Sequence, residues 1–174
     1  MGYQNSYQLF HNELKLHNIY EKLSRPIIIS DNIRSPENMG SILRIAGNIG
    51  AMNSIFISDN TQILKKHKIN RTASGASKKT KWEIVGTNKF MANIPSDYTI
   101  IALETTTDAE NIYQFKFPEK MAIIIGNEVA GIRDDVIKFA THKVYIPIPG
   151  QISSLNVTHA LAIAMFEWLR QHTI

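Results

Sequence analysis

Arg44 stands six residues after Asn38 in NMGSILR, Glu128 lies between two glycines in IIIGNEVAGIRDD, and Ser153, Ser154 and Asn156 crowd ahead of an apolar run in GQISSLNVTHALAIA. Their chemistry is that of a polar transfer or binding site: a guanidinium for an anion or an alkoxide, a carboxylate to orient donors, hydroxyls and amides to position a substrate. On a helix, Asn38, Ser41 and Arg44 at steps of three can share a side flanking Met39, Ile42, Leu43 and Ala46. Arg34 and the helix N-terminus add positive potential nearby. A phosphate-facing site fits this stretch, and so does a surface helix with ordinary capping. Gly126 would let backbone approach a ligand at a strand end and Gly131 supply a left-handed turn, although a plain strand-to-helix turn wants the same two glycines. In the third stretch Pro147, Pro149 and Gly150 make a stiff connection, and Ser153 or Ser154 suffices to cap the final helix. Asn156, a poor helix former, is then left over for another partner.

The elements that must hold these groups alternate. Pro26 to Ser30 reads as a buried strand, and Ser35-Pro36 as an N-cap with proline at the first helical position. A helix follows with Met39, Ile42, Leu43, Ala46 and Ile49 on one face. Further strands are expected at Asn53 to Ser58, Lys81 to Val85, Tyr98 to Glu104, Met121 to Gly126 and His142 to Ile148. Helices are expected from about Thr61, near Lys89, from about Asp134, and at the C-terminus, where Val157, Leu161, Met165 and Trp168 recur at steps of three and four. The expected fold class is α/β, a mainly parallel sheet with helices on both faces. Tyr7 to Leu23 reads as an extra amphipathic helix, and Thr105 to Pro118 as an ordered loop at the carboxyl end of a strand, where open α/β sheets bind ligands.

With 174 residues, 44% of them hydrophobic and 20% charged, the chain suits one globular domain. No apolar run reaches a membrane-spanning length and the N-terminus lacks a signal pattern, so a cytoplasmic protein without a membrane partner is the expectation. The lack of cysteine removes thiolate chemistry, and the six histidines show no ligand spacing, so no metal is expected. GxGxxG, GxxxxGK[ST] and GxSxG are all missing, which withdraws support from dinucleotide binding, P-loop phosphoryl transfer and a nucleophile elbow. The net charge is +4, with Lys65, Lys66, His67, Lys68, Arg71, Lys78, Lys79 and Lys81 gathered close together. That cluster suits a polyanion or is a solvated face.

Taken together, NMGSILR, GNEVAG and IPIPGQISSLNVT resemble, in order, the three motifs of the SpoU-like branch of the SPOUT superfamily, RNA 2'-O-ribose methyltransferases. N-x-G-x-x-x-R is matched by Asn38, Gly40 and Arg44, G-x-E-x-x-G by Gly126, Glu128 and Gly131, and S-L-N-V by Ser154, Leu155, Asn156 and Val157. Ile132, Ile148 and Thr158 depart from the commoner leucine, methionine and serine without removing a functional group. The resemblance implies a single domain, with residues 1–24 a helical extension and residues 25–172 an α/β core carrying a C-terminal deep trefoil knot, and a homodimer whose site is completed across the interface. It implies S-adenosylmethionine as cofactor, bound by Leu103, Glu104, Gly126, Asn127, Ile146, Ser154 and Leu155. It also implies tRNA or rRNA as substrate, the small N-terminal extension favouring tRNA. Catalysis would fall to Arg44, supported by Asn38, Glu128, Ser154 and Asn156, and RNA contact to Arg34, Arg44, Arg71, Lys78, Lys79 and Lys81. A non-catalytic RNA-binding or assembly protein with the same fold is the alternative.

Overall fold

Five isoleucine-rich or aromatic runs, each ended by a polar residue or glycine, become strands of a parallel sheet in the computed structural model, which describes residues 5–14, 19–59 and 66–173. The strands are β1 (Ile27–Asp31), β2 (Asn53–Ile57), β3 (Trp82–Val85), β4 (Thr99–Leu103), β5 (Glu110–Asn111), β6 (Met121–Ile125) and β7 (His142–Tyr145). They lie in the order β3-β2-β1-β6-β4-β7-β5, and every pairing is parallel. β1 and β6 occupy the centre, with Ile27 opposite Ala122 and Ile29 opposite Ile124. Both are buried along their whole length, as strands covered on two faces must be.

The helices are α1 (Ser6–Leu14), α2 (Pro36–Ile49), α3 (Lys66–Ala73), α4 (Ala76–Lys79), α5 (Asp134–Ile137) and α6 (Val157–Thr173). Side chains alternate across the strands and divide the core. Ile28, Phe56 and Ile123 pack with the apolar faces of α2, α3 and α6. Ile27, Ile29, Ile55 and Ile124 point the other way, toward Phe90, Ile132 and Val136. The expected stripes are the buried ones: Met39, Ile42, Leu43, Ala46 and Ile49 on α2, and Leu161, Met165 and Trp168 on α6.

Three expectations change in detail. The short helix expected near Lys89 is present, in the 3-10 form, over Phe90–Asn93. Thr105 to Pro118 is not only loop: Glu110 and Asn111 add a two-residue edge strand beside β7, too short to leave a periodic signature. The leading helix is described over Ser6–Leu14, and Ile19–Glu21 is a 3-10 turn where that helix was expected to continue. The start proposed for the basic helix, Thr61 to Lys65, lies outside the described residues.

Candidate active site

Strands β4, β6 and β7 all point their carboxyl ends toward one side, and the three segments leaving them meet there. Leu103 and Glu104 end β4, Gly126 to Gly131 follow β6, and Ile146 to Leu155 follow β7. They enclose a cleft of about 300 Å3, and Leu103, Glu104, Gly126, Asn127, Ile146, Ser154 and Leu155, the seven residues expected to hold a cofactor, all line it. Glu128 lines it too. Aliphatic side chains such as Leu103, Ile146 and Leu155 line it together with two carboxylates, Glu104 and Glu128, and no lysine or arginine is among the lining residues.

The loop after β6 is held tightly. Asn127 and Gly131 exchange backbone hydrogen bonds, and the Asn127 Oδ1 accepts from the N–H groups of Val129 and Ala130. Gly126 is required by that fold-back: a Cβ there would lie 2.2 Å from the Gly131 carbonyl carbon. The backbone it admits is therefore its own loop, where the sequence suggested a ligand. Gly131 has φ +70° and sits against Glu104, whose Oε2 accepts from Ile132 N–H at 2.9 Å. Glu104 thus braces the loop as well as lining the cleft.

On the rim, three residues from the three sequence motifs join. Asn38 Nδ2 donates to Glu128 Oε1, and Asn156 Nδ2 donates to Asn38 Oδ1 at 3.4 Å. Asn127 Nδ2 bonds both Asn32 O and Glu128 Oε2. Asn156 is also the N-cap of α6, accepting from Thr158 N–H at 2.8 Å and from the Thr158 hydroxyl at 2.7 Å. This corrects the assignment of capping to Ser153 or Ser154, which lie in an exposed turn before the helix. An asparagine that looked surplus in a first turn fits the half-in cap position instead.

Sequence reasoning missed a second anchor. Asp31, fully buried at the end of β1, accepts from the backbone N–H of Arg133 at 2.8 Å, from its Nε at 3.0 Å and from its Nη2 at 2.7 Å. Arg133 Nη1 reaches Asp59 after β2, and Nη2 the hydroxyl of Thr87 after β3. The Asp31 bonds, partly offset by burial, and the Asp59 bond raise the guanidinium pKa. The Thr87 backbone N–H, then Arg133, then the Thr87 hydroxyl lower that of Asp59. An aspartate ending an isoleucine run was the available signal, but a partner 102 residues away is invisible to spacing.

Arg44 does not join the cleft. It is exposed and lines another concavity with Arg25 and Lys79, between the end of α2 and the α3–α4 turn. Asn38 and Arg44 therefore do not share a side: six residues of helix rotate one from the other by about 120° and separate them by about 9 Å. Arg34 is exposed before α2, Arg71 on the last turn of α3, and Lys78 and Lys81 flank Lys79, so the expected RNA set is exposed along α2 to α4, with only Arg44 and Lys79 of it sharing a concavity. Among the described residues no group of histidine, aspartate or glutamate side chains could hold a metal ion, and no helix is long and apolar enough to cross a membrane.

Residues 25–166 match the family model described as SpoU rRNA Methylase. The chain belongs to the SpoU rRNA Methylase family.

Relatives of this SpoU family member differ in length and substrate. The mouse (Mus musculus) tRNA (guanosine(18)-2'-O)-methyltransferase TARBP1 is 27% identical over 158 residues, 88% of this chain but 10% of the mouse protein. The Haemophilus influenzae 23S rRNA (guanosine-2'-O-)-methyltransferase RlmB is 28% identical over 163 residues, covering 92% of this chain and 66% of that protein. The chain thus spans at most about two thirds of the length of these two relatives. The crystal structure of the SpoU methyltransferase AviRb from Streptomyces viridochromogenes, in complex with the cofactor AdoMet, has the same fold, with a TM-score of 0.76, 24% identity, and coverage of 90% of this chain and 61% of that one.

Proposed function

We propose that this SpoU family member is an S-adenosylmethionine-dependent RNA methyltransferase, acting on a ribose 2'-hydroxyl of tRNA or rRNA as a cytoplasmic homodimer. Residues 1–24 would be an extension to one α/β core, 25–172, in which the segment after β7 is threaded as a trefoil knot. The observation that carries the reading is the hydrogen-bonded chain Glu128–Asn38–Asn156 on the rim of the cleft at the ends of β4, β6 and β7. A plain strand-to-helix turn gives no reason for three distant polar side chains to converge there.

The cleft fits the cofactor. Aliphatic walls from Leu103, Ile146 and Leu155 suit a purine, and the carboxylates of Glu104 and Glu128, without a lining cation, suit a positively charged ligand. When bound, S-adenosylmethionine supplies an electrophilic methyl on a sulfonium. The protein's task is then to position a weak nucleophile and help it lose a proton. Asn38 and Asn156 present amides at the rim, with Glu128 fixing Asn38, and Ser154 offers a hydroxyl beside them. A guanidinium carries five N–H donors and no acceptor, so Arg44 serves as a donor, stabilising the developing alkoxide and clamping a phosphate while the proton leaves to phosphate or water. Because Arg44 turns away from its own cleft, its place in catalysis is in the partner subunit's site, which supports the dimer. Arg34, Arg71, Lys78, Lys79 and Lys81 would hold the RNA backbone.

Incubation with methyl-labelled S-adenosylmethionine and unmodified total RNA tests the reading. Label in RNA, released by nuclease digestion as a 2'-O-methylated nucleotide, is expected. RNA binding without any label transfer would replace the enzyme by a non-catalytic RNA-binding protein.

A further inference from the structure

The concavity that takes Arg44 is larger than the cleft, about 480 Å3, and lies at the C-terminal end of α2, beside the residues that lead into β1, β2 and β3. Three cations line it, Arg25 from the turn before β1, Arg44 from α2 and Lys79 from α4, and no carboxylate does. Arg25 is already set in place: its guanidinium lies 4.3 Å from the centre of the Tyr20 ring, and its Nη1 donates to Gly50 O at 2.9 Å. That bond takes one of its five N–H donors, so a second ligand would meet a guanidinium whose conformational freedom is already lost. Gly47, Gly50 and Gly75 also line the groove, and the space above Gly75 is open.

We infer that this groove seats the sugar-phosphate backbone of a single-stranded RNA segment, Arg25 and Lys79 binding phosphodiester groups next to the nucleotide whose ribose engages Arg44. The inference rests on the methyltransferase reading for its choice of polyanion and adds a site to it. Three cations without an acidic neighbour select an anion. Guanidinium binds phosphate oxygens bidentately, whereas Lys79 contributes a mobile point charge. The groove also distinguishes Lys79, which lines it, from Lys78, which does not.

Fluorescence anisotropy of a short fluorescein-labelled oligouridylate against salt concentration tests this, with wild type, Arg25→Gln, Lys79→Glu and, as a control on α5's far side, Lys138→Gln. Arg25→Gln and Lys79→Glu are each expected to weaken binding severalfold, about tenfold for the charge reversal, and to flatten the salt slope by about 0.7 for each phosphate no longer neutralised. Lys138→Gln is expected to bind as wild type does. S-adenosylhomocysteine affinity, read by calorimetry, is expected to stay the same in all four proteins. Lys79 is exposed, so its variant tests the groove even if loss of the Gly50 bond unfolds the Arg25 variant. Unchanged affinity and slope in Lys79→Glu, or no binding of the oligouridylate by wild type, would overturn the groove assignment and leave the cofactor cleft untouched. Failure of wild type to bind S-adenosylhomocysteine would instead strike the enzyme reading.

Discussion

Asn156 does two jobs with the two ends of one amide, and substitution can separate them. Its Oδ1 caps α6 through Thr158, and its Nδ2 reaches Asn38. Asn156→Asp keeps an acceptor at a cap position that favours aspartate, but it has no proton for Asn38 and adds a negative charge near Glu128. Thermal unfolding of Asn156→Asp is therefore expected to match wild type closely while methyl transfer falls by tenfold or more. Asn156→Ala loses both functions, and its stability should drop by about 1 kcal/mol, the usual cost of a lost cap. Equal activity losses with equal destabilisation in the two variants would show that the residue acts through the helix alone.

At the scale of elements, close approach of backbones sets the site. Gly40, one of the motif glycines, faces α3, where an added Cβ would lie 2.5 Å from Thr72 Cβ and 2.8 Å from Ala73 N. Gly40→Ala is expected to push α2 and α3 apart and destabilise the fold by about 1 to 3 kcal/mol in a denaturant titration, without touching the cleft directly. The strand ends are joined more by charge. Thr87 and Arg133 hold Asp59 ionised below the usual aspartate pKa, so its contribution is present at neutral pH. It is lost as pH falls below about 3.9 toward the depressed folded value. Stability measured by urea between pH 6 and 3 should fall less steeply for Asp59→Asn than for wild type, modestly, since Asp59 is largely exposed. The same elements mark what the sequence could yield. Strands β1, β2 and β6 were legible because continuous burial selects apolar, mostly β-branched residues, and α2 because its cap, Pro36 and stripe agree. β5 was not, being two residues long, nor was the Asp31–Arg133 pairing, which depends on strand order. The seven cleft residues came from motif resemblance, and no periodicity in the chain points to them. The direction of Arg44 was misread because steps of three drift around a helix by about 60° each.

That drift has its main consequence for the whole molecule. In one chain the cleft residues and Arg44 line different concavities, so a lone chain would lack the arginine that the proposed reaction needs at the cleft. In the dimer proposed above, each Arg44 would sit at the partner subunit's cleft, since the same two patches meet twice about a symmetry axis. The arrangement can be tested without knowing the interface. Arg44→Ala should bind S-adenosylhomocysteine normally and transfer no methyl, and Leu155→Arg, which fills the cleft with a cation, should do neither. Co-expressed chains pair at random, and half the dimers then carry one of each. In those dimers the intact cleft of the Arg44→Ala chain faces the intact arginine of the other, giving one working site of two and about a quarter of wild-type activity in the mixture. If each site were built from a single chain, every dimer in that mixture would be dead. Activity near a quarter, appearing only when the two variants share a dimer, therefore supports a shared site, and its absence from a mixture shown to contain heterodimers would return Arg44 to its own subunit.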